Sequence, residues 1–206
     1  MSHTHPLGND EKRNTEFDYL EKAVSNILIE RRLISDPEIW AQIDDMESRS
    51  SEAGARLVSL AWTDHEFRNR LLSNPIETIK GEGIKYDASH DLRILPASDD
   101  VHYVIVCTLC SCYPRALLGL PPSWYKSKAY RSRVVREPRE VLAEFGTHLS
   151  SNTQVRVVDS TADMRYFVLP MRPIGTEEYD LNKLARLVSR DVLIGMRLPQ
   201  EGVFHG

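Results

Sequence analysis

Apolar residues in the first part of the chain recur every three to four positions, which is the spacing of an α-helix. The first series is Phe17, Leu20, Val24, Ile27 and Leu28. A second apolar series spans residues 53–62. Residues 1–14 are polar, and we expect them to form a mobile tail. The pattern predicts a helical N-terminal arm over residues 15–85, made of short amphipathic helices.

Two N-terminal capping patterns mark helix starts within this arm. Pro37 and Glu38 follow Ser35, and this order predicts the first turn of a helix that Ser35 caps. The apolar face of that helix is Ile39, Trp40, Ile43 and Met46. Thr63 and Glu66 repeat the capping pattern and predict a further short helix. Helices this short bury little surface alone, so we expect the arm to lie on the rest of the chain or to embrace a partner.

The second half of the chain carries short apolar runs that favour β-strands. Four strands are predicted, at residues 92–95, 102–106, 154–158 and 164–169. The run 102–106 is nearly all apolar, which is typical of a strand buried on both faces. Helices are predicted at about 138–145 and 181–189. This mixture predicts an α+β or layered α/β domain over residues 86–206.

Charge and composition exclude several classes of protein. The formal net charge of −4 and the pI near 6.0 argue against a nucleic-acid-binding protein, because phosphate binding needs a basic face. No run approaches about 18 consecutive apolar residues, so no membrane span is expected. The N-terminus is polar and lacks the apolar core of a signal peptide. We therefore expect a cytoplasmic protein.

The 3 cysteines, Cys107, Cys110 and Cys112, lie within six residues of one another, directly after the strand predicted at 102–106. An odd number in one cluster is unlike a disulfide framework, and it indicates one centre that needs several sulfurs. A zinc site completed by a histidine, a Cys-x-x-Cys redox motif and a local disulfide are the alternatives from the residues alone. A metal site is the favoured interpretation.

Residues 106–114, Val-Cys-Thr-Leu-Cys-Ser-Cys-Tyr-Pro, resemble the metal-binding motif, or claw, of nitrile hydratase α subunits. The resemblance continues through residues 118–126, 130–139, 165–170 and 172–176. It covers most of residues 53–198 and fades in the N-terminal tail. The fold that it implies is a helical arm followed by a layered α/β/β/α domain that carries the claw.

The resemblance implies a specific set of metal ligands. The sulfurs of Cys107, Cys110 and Cys112 and the backbone nitrogens of Ser111 and Cys112 would bind one low-spin trivalent ion per chain. A sixth position stays open for water or substrate. Family members with Thr at the second claw position usually hold cobalt and those with Ser hold iron, so Thr108 favours Co(III) over Fe(III).

The resemblance also implies oxidised cysteines and a reaction. Cys107 would remain a thiolate, Cys110 would become a sulfinic acid and Cys112 a sulfenic acid. The product would be the amide of a small nitrile, with Cys112, Cys110 and Ser111 as catalytic residues. The ion would act as a Lewis acid on the nitrile or on water, or the Cys112 oxygen would attack the carbon or act as a base. The sequence does not choose among these roles.

The same resemblance implies partners. One or two β-type subunits would supply arginines that hold the oxygens of the modified cysteines. A metallochaperone or activator protein would insert the cobalt. Neither a nucleic acid nor a membrane is expected as a partner, for the reasons of charge and hydropathy given above.

The chain departs from the family where most nitrile hydratases place a pocket Trp after Tyr113-Pro114, because Arg115 stands there. Arg at this place, and Leu92-Arg93 upstream, resemble the γ subunit of thiocyanate hydrolase, whose claw is the same. A pocket glutamine of the family falls here near Ala88. Arg115 would hydrogen-bond a polar substrate, such as a nucleoside-like nitrile, or form a salt bridge to the partner subunit. Thiocyanate hydrolysis and a non-catalytic zinc module are the competing functions.

Two residues outside the claw are candidates for supporting roles. Asp159 and Arg165 are expected either to hydrogen-bond around the site or to form a surface ion pair. The charged run at residues 131–139 is expected to face solvent or a partner. The aromatic residues Trp124 and Tyr125 are expected to lie in the core or in an interface rather than to take part in catalysis.

Overall fold

The computed structural model describes residues 15–86, 89–110 and 112–200. Its N-terminal part consists of helices, and strands begin at residue 91, so the predicted α+β class with a helical N-terminal region is confirmed. The predicted tail at residues 1–14, the position of Ala88 and the claw residue Ser111 lie outside the described residues.

Five helices make up the N-terminal part of the described chain. They are α1 (Thr15–Glu30), α2 (Asp36–Ser48), α3 (Glu52–Thr63), α4 (His65–Ser73) and α5 (Pro75–Gly81). The predicted cap of α2 is present, because the Glu38 carboxylate accepts a hydrogen bond of 2.9 Å from the backbone nitrogen of Ser35. This contact satisfies a backbone donor that the helix itself leaves open.

The predicted cap of α4 is wrong by one residue. Asp64 rather than Thr63 caps the helix, and its carboxylate accepts from the backbone nitrogens of Glu66 at 2.8 Å and Phe67 at 2.9 Å. Thr63 is the last residue of α3, and its hydroxyl donates to the carbonyl oxygen of Ser59. An ionised carboxylate is the stronger acceptor for two converging donors, so Asp64 takes the capping position.

Four strands and six further helices complete the described chain. The strands are β1 (Asp91–Pro96), β2 (Val101–Val106), β3 (Gln154–Asp159) and β4 (Met164–Leu169). The helices are α6 (Arg115–Leu118), α7 (Ser123–Lys126), α8 (Lys128–Arg136), α9 (Pro138–Glu144), α10 (Leu181–Ala185) and α11 (Arg190–Ile194). The single helix predicted at 181–189 is wrong, since α10 ends at Ala185 and Ser189 precedes a second helix.

The strands form two parallel pairs that pack on each other. β1 pairs with β4, and β2 pairs with β3. The pairs meet through β2 and β4, while α4 and α5 cover β1 and α9 packs on β3. Helices therefore lie outside and strands inside, in agreement with the expected layering, but one helical layer comes from α4 and α5 of the N-terminal part. The register places Val106 opposite Asp159, so β2 and β3 end at the same edge.

The helices of the arm differ in how much surface they bury. α3 buries Leu57 and Val58 completely and packs against α10. α1 and α2 contain no buried residue among those whose burial is described. Their exposed large apolar side chains include Phe17, Tyr19, Leu20, Val24, Ile27 and Trp40. α1 and α2 thus present an apolar surface that the rest of the described chain does not cover. The domain boundary at residues 85 and 86 stays a prediction.

No helix among the described residues combines the length and the apolar composition that crossing a bilayer requires.

Gly195 is fixed by a close backbone approach to β2. It ends α11 with φ of +89°, and a Cβ added there would lie 1.9 Å from the carbonyl oxygen of Tyr103. Gly175 has a similar φ of +81°, but an added Cβ would meet nothing within 4 Å. A comparison of substitutions at these two glycines therefore separates the cost of a strained backbone angle from the cost of a steric clash.

We predict that Gly195→Ala lowers the free energy of unfolding by about 3 kcal/mol more than Gly175→Ala. Both variants carry the left-handed backbone penalty, but only Gly195→Ala also forces a clash in the core. Urea denaturation of the purified variants measures the difference. Equal losses in the two variants would contradict the close approach between α11 and β2.

His102 on β2 is buried, and its Nε2 donates to the carbonyl oxygen of Gly195 at 2.7 Å. Burial lowers the pKa of His102, although the hydrogen bond to Gly195 opposes this shift. The folded protein therefore holds the neutral imidazole more strongly than the unfolded chain does. Stability is retained above the unfolded pKa of about 6.5 and is lost as the pH falls below it, because the unfolded chain then binds more protons.

We predict that the free energy of unfolding decreases between pH 7.5 and pH 5.5, and that His102→Gln reduces this decrease. Glutamine keeps a donor for Gly195 but does not titrate. Urea denaturation at both pH values measures the slope. If the variant keeps the slope of the parent protein, His102 is not the group responsible.

Candidate metal centre

The three cysteines lie in the loop that follows β2. Their sulfurs come together: Sγ of Cys110 is 3.3 Å from Sγ of Cys107 and 3.1 Å from Sγ of Cys112. All three sulfurs are within 4.8 Å of one another, and the cysteines are free thiols. Cys107 is buried, Cys112 is half-buried and Cys110 is exposed. The chain thus presents three sulfur donors to one point at the end of a strand.

The Cys112 thiol favours its protonated form. Burial and a hydrogen bond with Cys110 raise the pKa of Cys112 to about 12, although the positive charge of Arg165 opposes this shift. A metal that binds through this sulfur has to displace the proton. The donor set therefore suits a cation that forms strong bonds to thiolate sulfur, and the residues present fit such an ion.

Asp159 holds the first turn of the claw. It ends β3 beside Val106, and one carboxylate oxygen accepts from the backbone nitrogen of Thr108 at 2.9 Å. The other oxygen accepts from the Thr108 hydroxyl at 2.5 Å. Asp159 was expected either to hydrogen-bond around the site or to form a surface ion pair, and the structure shows the hydrogen bonds. The Thr108 side chain points towards this carboxylate. In the sequence, Thr108 lies between Cys107 and Cys110.

Two other elements hold the rest of the loop. Arg131, on α8, donates to the carbonyl oxygen of Leu109 at 3.1 Å. Tyr125, on α7, is fully buried and donates to the carbonyl oxygen of Cys112 at 3.0 Å. Burial raises the pKa of Tyr125, so the hydroxyl stays protonated and remains a donor. The claw is therefore held from β3, α7 and α8.

The aromatic residues near the claw form its support. Trp124 and Tyr125 lie in the core, where the Trp124 ring packs edge-on against Tyr130 at 4.9 Å between centroids. The Tyr130 hydroxyl donates to the carbonyl oxygen of Ile105 at 2.6 Å. Ile105 lies on β2, two residues before the first cysteine of the claw. These rings fill the space behind the loop and fix the end of β2.

A cavity of about 290 Å³ opens beside the sulfurs of Cys110 and Cys112; we call it the claw cavity. Its lining residues are Arg49, Tyr86, His90, Cys110, Cys112, Tyr113, Arg115, Ala116 and Arg165. Arg115, predicted from the sequence as a pocket residue, does line it. Arg165 lies there as well, half-buried, and donates to the carbonyl oxygen of Ala162 at 3.1 Å.

Sequence reasoning missed two arginines of this region. Arg49 was not predicted because it lies at the end of α2, far from the claw in sequence. Arg131 was expected to face solvent or a partner together with its charged neighbours. In the same run, Arg133 pairs with Glu137 and Glu144. Residue types alone do not reveal which arginine of such a run reaches the claw, so no sequence signal identified Arg131.

We predict that Asp159→Ala raises the rate of amide hydrogen exchange at Thr108 about fivefold, because a hydrogen bond that holds the loop is worth about 1 kcal/mol. Thr108→Val removes only the hydroxyl contact, so its effect should be smaller. Asp163→Ala, an exposed carboxylate in the turn between β3 and β4, is the control and should leave this rate unchanged. Unchanged protection in Asp159→Ala would show that the carboxylate does not hold the claw.

Comparison with known proteins identifies the family. The family model described as nitrile hydratase, alpha chain, matches residues 15–197. A nitrile hydratase subunit alpha of Rhodococcus sp is 49% identical over 177 residues, or 85% of this chain and 89% of the relative. The low-molecular weight cobalt-containing nitrile hydratase subunit alpha of Rhodococcus rhodochrous is 42% identical over 199 residues, or 96% of each chain.

Two further relatives bear on the site. The thiocyanate hydrolase subunit gamma of Thiobacillus thioparus is 41% identical over 202 residues, or 92% of this chain and 82% of the relative. The solved structure of a double mutant of Fe-type nitrile hydratase from Comamonas testosteroni Ni1 matches with a TM-score of 0.84 at 35% identity, covering 91% of this chain and 92% of that one. The resemblance read from the cysteine motif is confirmed: this chain belongs to the nitrile hydratase alpha-chain family of enzyme subunits.

Proposed function

We propose that this chain is the metal-binding catalytic subunit of an enzyme that hydrates a nitrile to its amide at a low-spin Co(III) centre, with one ion per chain. The observation that carries this proposal is the convergence of Cys107, Cys110 and Cys112 beside the claw cavity, with neighbouring sulfurs 3.1 Å and 3.3 Å apart. A cavity next to three sulfur donors gives a substrate direct access to whatever the sulfurs bind.

The sulfur spacing supports an ion with ligands at right angles. Two sulfurs bonded at about 2.3 Å lie about 3.3 Å apart at right angles but about 3.8 Å apart at tetrahedral angles. The two separations, 3.3 Å and 3.1 Å, lie nearer the first value, which favours such an ion over structural zinc. Among the described residues, the cluster also contains no histidine that would complete a tetrahedral site. The zinc-stabilised module is therefore the weaker interpretation.

Cobalt is the favoured metal for two reasons. Thr108 occupies the second claw position, and relatives at 42% identity are named cobalt-containing. The Fe-type structural neighbour at 35% identity keeps iron as the alternative. Because the Thr108 hydroxyl donates to Asp159, we infer that this residue acts on the metal by fixing the loop and not as a ligand.

Each claw residue has a role in this proposal. Cys107, which is 1% exposed, remains a thiolate because oxidants do not reach it. Cys110 and Cys112 line the claw cavity, where an external oxidant such as dioxygen would convert them to the sulfinic and sulfenic acids. The backbone nitrogens of Ser111 and Cys112 complete the ligands. Tyr125 holds the carbonyl oxygen of Cys112 and so orients the backbone beside the donor nitrogen.

The chemistry divides between the ion and the chain. When bound, a trivalent ion supplies Lewis acidity that polarises a nitrile or activates water. Cys112 lines the claw cavity, so an oxygen carried on its sulfur would be placed either to attack the nitrile carbon or to take a proton from an attacking water. The positive charge of Arg165 opposes the rise that burial causes in the pKa of the Cys112 thiol, and the same charge favours negative charge on the oxidised sulfur.

The partner in this proposal is a β-type subunit of the same enzyme. The exposed apolar side chains of α1 and α2, among them Phe17 and Trp40, need cover from another chain. The claw cavity is open to the surface, and a second subunit would close it. An activator protein would deliver the cobalt, and the reducing cytoplasm would keep the thiols free until then.

Thiocyanate hydrolysis is the second candidate function. Arg115 lines the claw cavity, and the thiocyanate hydrolase subunit gamma is 41% identical over 92% of this chain. Both activities would use the same cysteines, so the structure of the claw does not separate them. Rates on thiocyanate and on organic nitriles, measured with one preparation, discriminate between the two.

We predict that the chain expressed with cobalt and its β-type partner contains about one cobalt per chain and gains the mass of three oxygen atoms on Cys110 and Cys112. Metal analysis, intact mass and a nitrile hydration assay on the same sample measure this. Cys112→Ser should lose the third oxygen and nearly all activity. Zinc with unmodified cysteines would overturn the proposal.

A further inference from the structure

The charge of the claw cavity is unusual for this chain. Three arginines line it, Arg49, Arg115 and Arg165, and no carboxylate is among its lining residues in the described chain. The protein as a whole has a formal net charge of −4. A concentration of positive charge in one cavity of an acidic chain indicates that something negative binds there.

Three separate elements bring these arginines together. Arg49 follows α2, Arg115 begins α6, and Arg165 is the second residue of β4. The approach of Arg49 depends on Gly119, where an added Cβ would lie 2.6 Å from the Arg49 carbonyl oxygen. The fold therefore positions the end of α2 against the claw region through a close backbone contact.

The three guanidinium groups differ in what already binds them. Arg49 pairs with Asp45 at 2.5 Å, and Arg165 donates to backbone carbonyls of the turn before β4. Arg115 is exposed, and its side chain has no hydrogen-bond partner within the described part of the chain. Arg115 is thus the group with the most donors available to a ligand, since a guanidinium has five N–H bonds.

Two of the three guanidinium groups already have partners within the chain. Arg49 is paired with the Asp45 carboxylate, and Arg165 donates to the carbonyl oxygens of Thr161 and Ala162. Arg115 therefore remains as the guanidinium of the claw cavity that can pair with a ligand of a single negative charge.

The size of the cavity narrows the ligand further. At about 290 Å³ it lies close to the lower end of the range for small-molecule sites, roughly 300 Å³. Thiocyanate has only three atoms and would leave most of this space to water. An open basic depression lined by Lys80 and Lys85 shares Arg49 and Tyr86 with the claw cavity. It extends the positive surface outwards and would draw an anion inwards.

We propose that the substrate is an organic nitrile that also carries a carboxylate, with the carboxylate bound by Arg115 and the nitrile directed to the claw. This proposal rests on the nitrile hydratase function and adds the class of nitrile. Arg115 pairs with the carboxylate through two parallel hydrogen bonds, which a lysine cannot reproduce. Arg49 and Arg165 supply the surrounding positive potential.

The test compares a matched pair of substrates on the assembled enzyme loaded with cobalt. The pair is 4-cyanobutanoate and its uncharged analogue 4-cyanobutanamide, which have nearly the same size. We expect kcat/KM to be at least tenfold higher for the anion. Arg115→Gln should lower this preference about tenfold, and Arg115→Lys should retain only part of it. Arg156→Gln, on the exposed side of β3, should change neither value.

A binding measurement makes the result independent of turnover. Calorimetric titration of the assembled enzyme with pentanoate, and with pentanamide, measures affinity for an anion that has no nitrile. We expect pentanoate to bind and Arg115→Gln to weaken its binding about tenfold. Equal affinity for acid and amide would overturn the proposal.

The remaining outcomes separate this inference from the proposed function. Hydration of both cyano substrates at equal rates would overturn the inference and leave nitrile hydration standing. Hydrolysis of thiocyanate without hydration of 4-cyanobutanoate would overturn both. If Arg115→Gln dissociates the subunits and leaves the substrate preference intact, Arg115 pairs with the partner subunit, and the inference is wrong.

Discussion

The parallel pairing of β2 with β3 is the constraint on which the claw depends. It brings Val106 opposite Asp159, so that the first cysteine of the claw and the carboxylate that binds Thr108 leave the same edge of the sheet. A shift of the register by one residue would turn the Asp159 side chain to the other face and remove both hydrogen bonds to Thr108. The conformation of the loop is therefore an outcome of strand pairing.

The core behind the sheet holds this arrangement in place. Tyr130 binds the carbonyl oxygen of Ile105, and Tyr125 binds that of Cys112, so two buried hydroxyls fix the chain on either side of the cysteines. On the same strand, His102 is tied to Gly195, whose missing side chain lets α11 approach β2. These contacts hold the chain on both sides of the cysteines, so less conformational freedom is left for a bound ion to remove.

The opposite side of the claw is open and positively charged. Its arginines come from elements that are distant in sequence, and the apolar surface of α1 and α2 is left uncovered by the described chain. An open cavity and an uncovered apolar arm fit one subunit of a larger enzyme. Relatives named nitrile hydratase and thiocyanate hydrolase both match most of the chain, so the choice between the two activities falls to the residues that line the claw cavity.

The sequence by itself determined the features that depend on short stretches of chain. Helical periodicity gave the N-terminal helices, the order of Ser35 and Glu38 gave the cap of α2, and the spacing of the cysteines with their flanking residues gave the family. The sequence pattern placed the cap of α4 at Thr63 instead of Asp64, and it predicted one helix where α10 and α11 are separate. In both places, neighbouring residues could each serve as a helix end, and the pattern does not choose between them.

Only the tertiary structure decided which distant residues surround the claw. Asp159 and Arg131 hold the loop, and Arg49 reaches its cavity, because strand register and a close contact at Gly119 bring them there. The cysteines lie within a segment of six residues, so covalent geometry alone keeps them near one another. Leu109 and Arg131 are 22 positions apart and Thr108 and Asp159 are 51 apart, so they meet only through packing, and no local pattern in the sequence encodes that meeting.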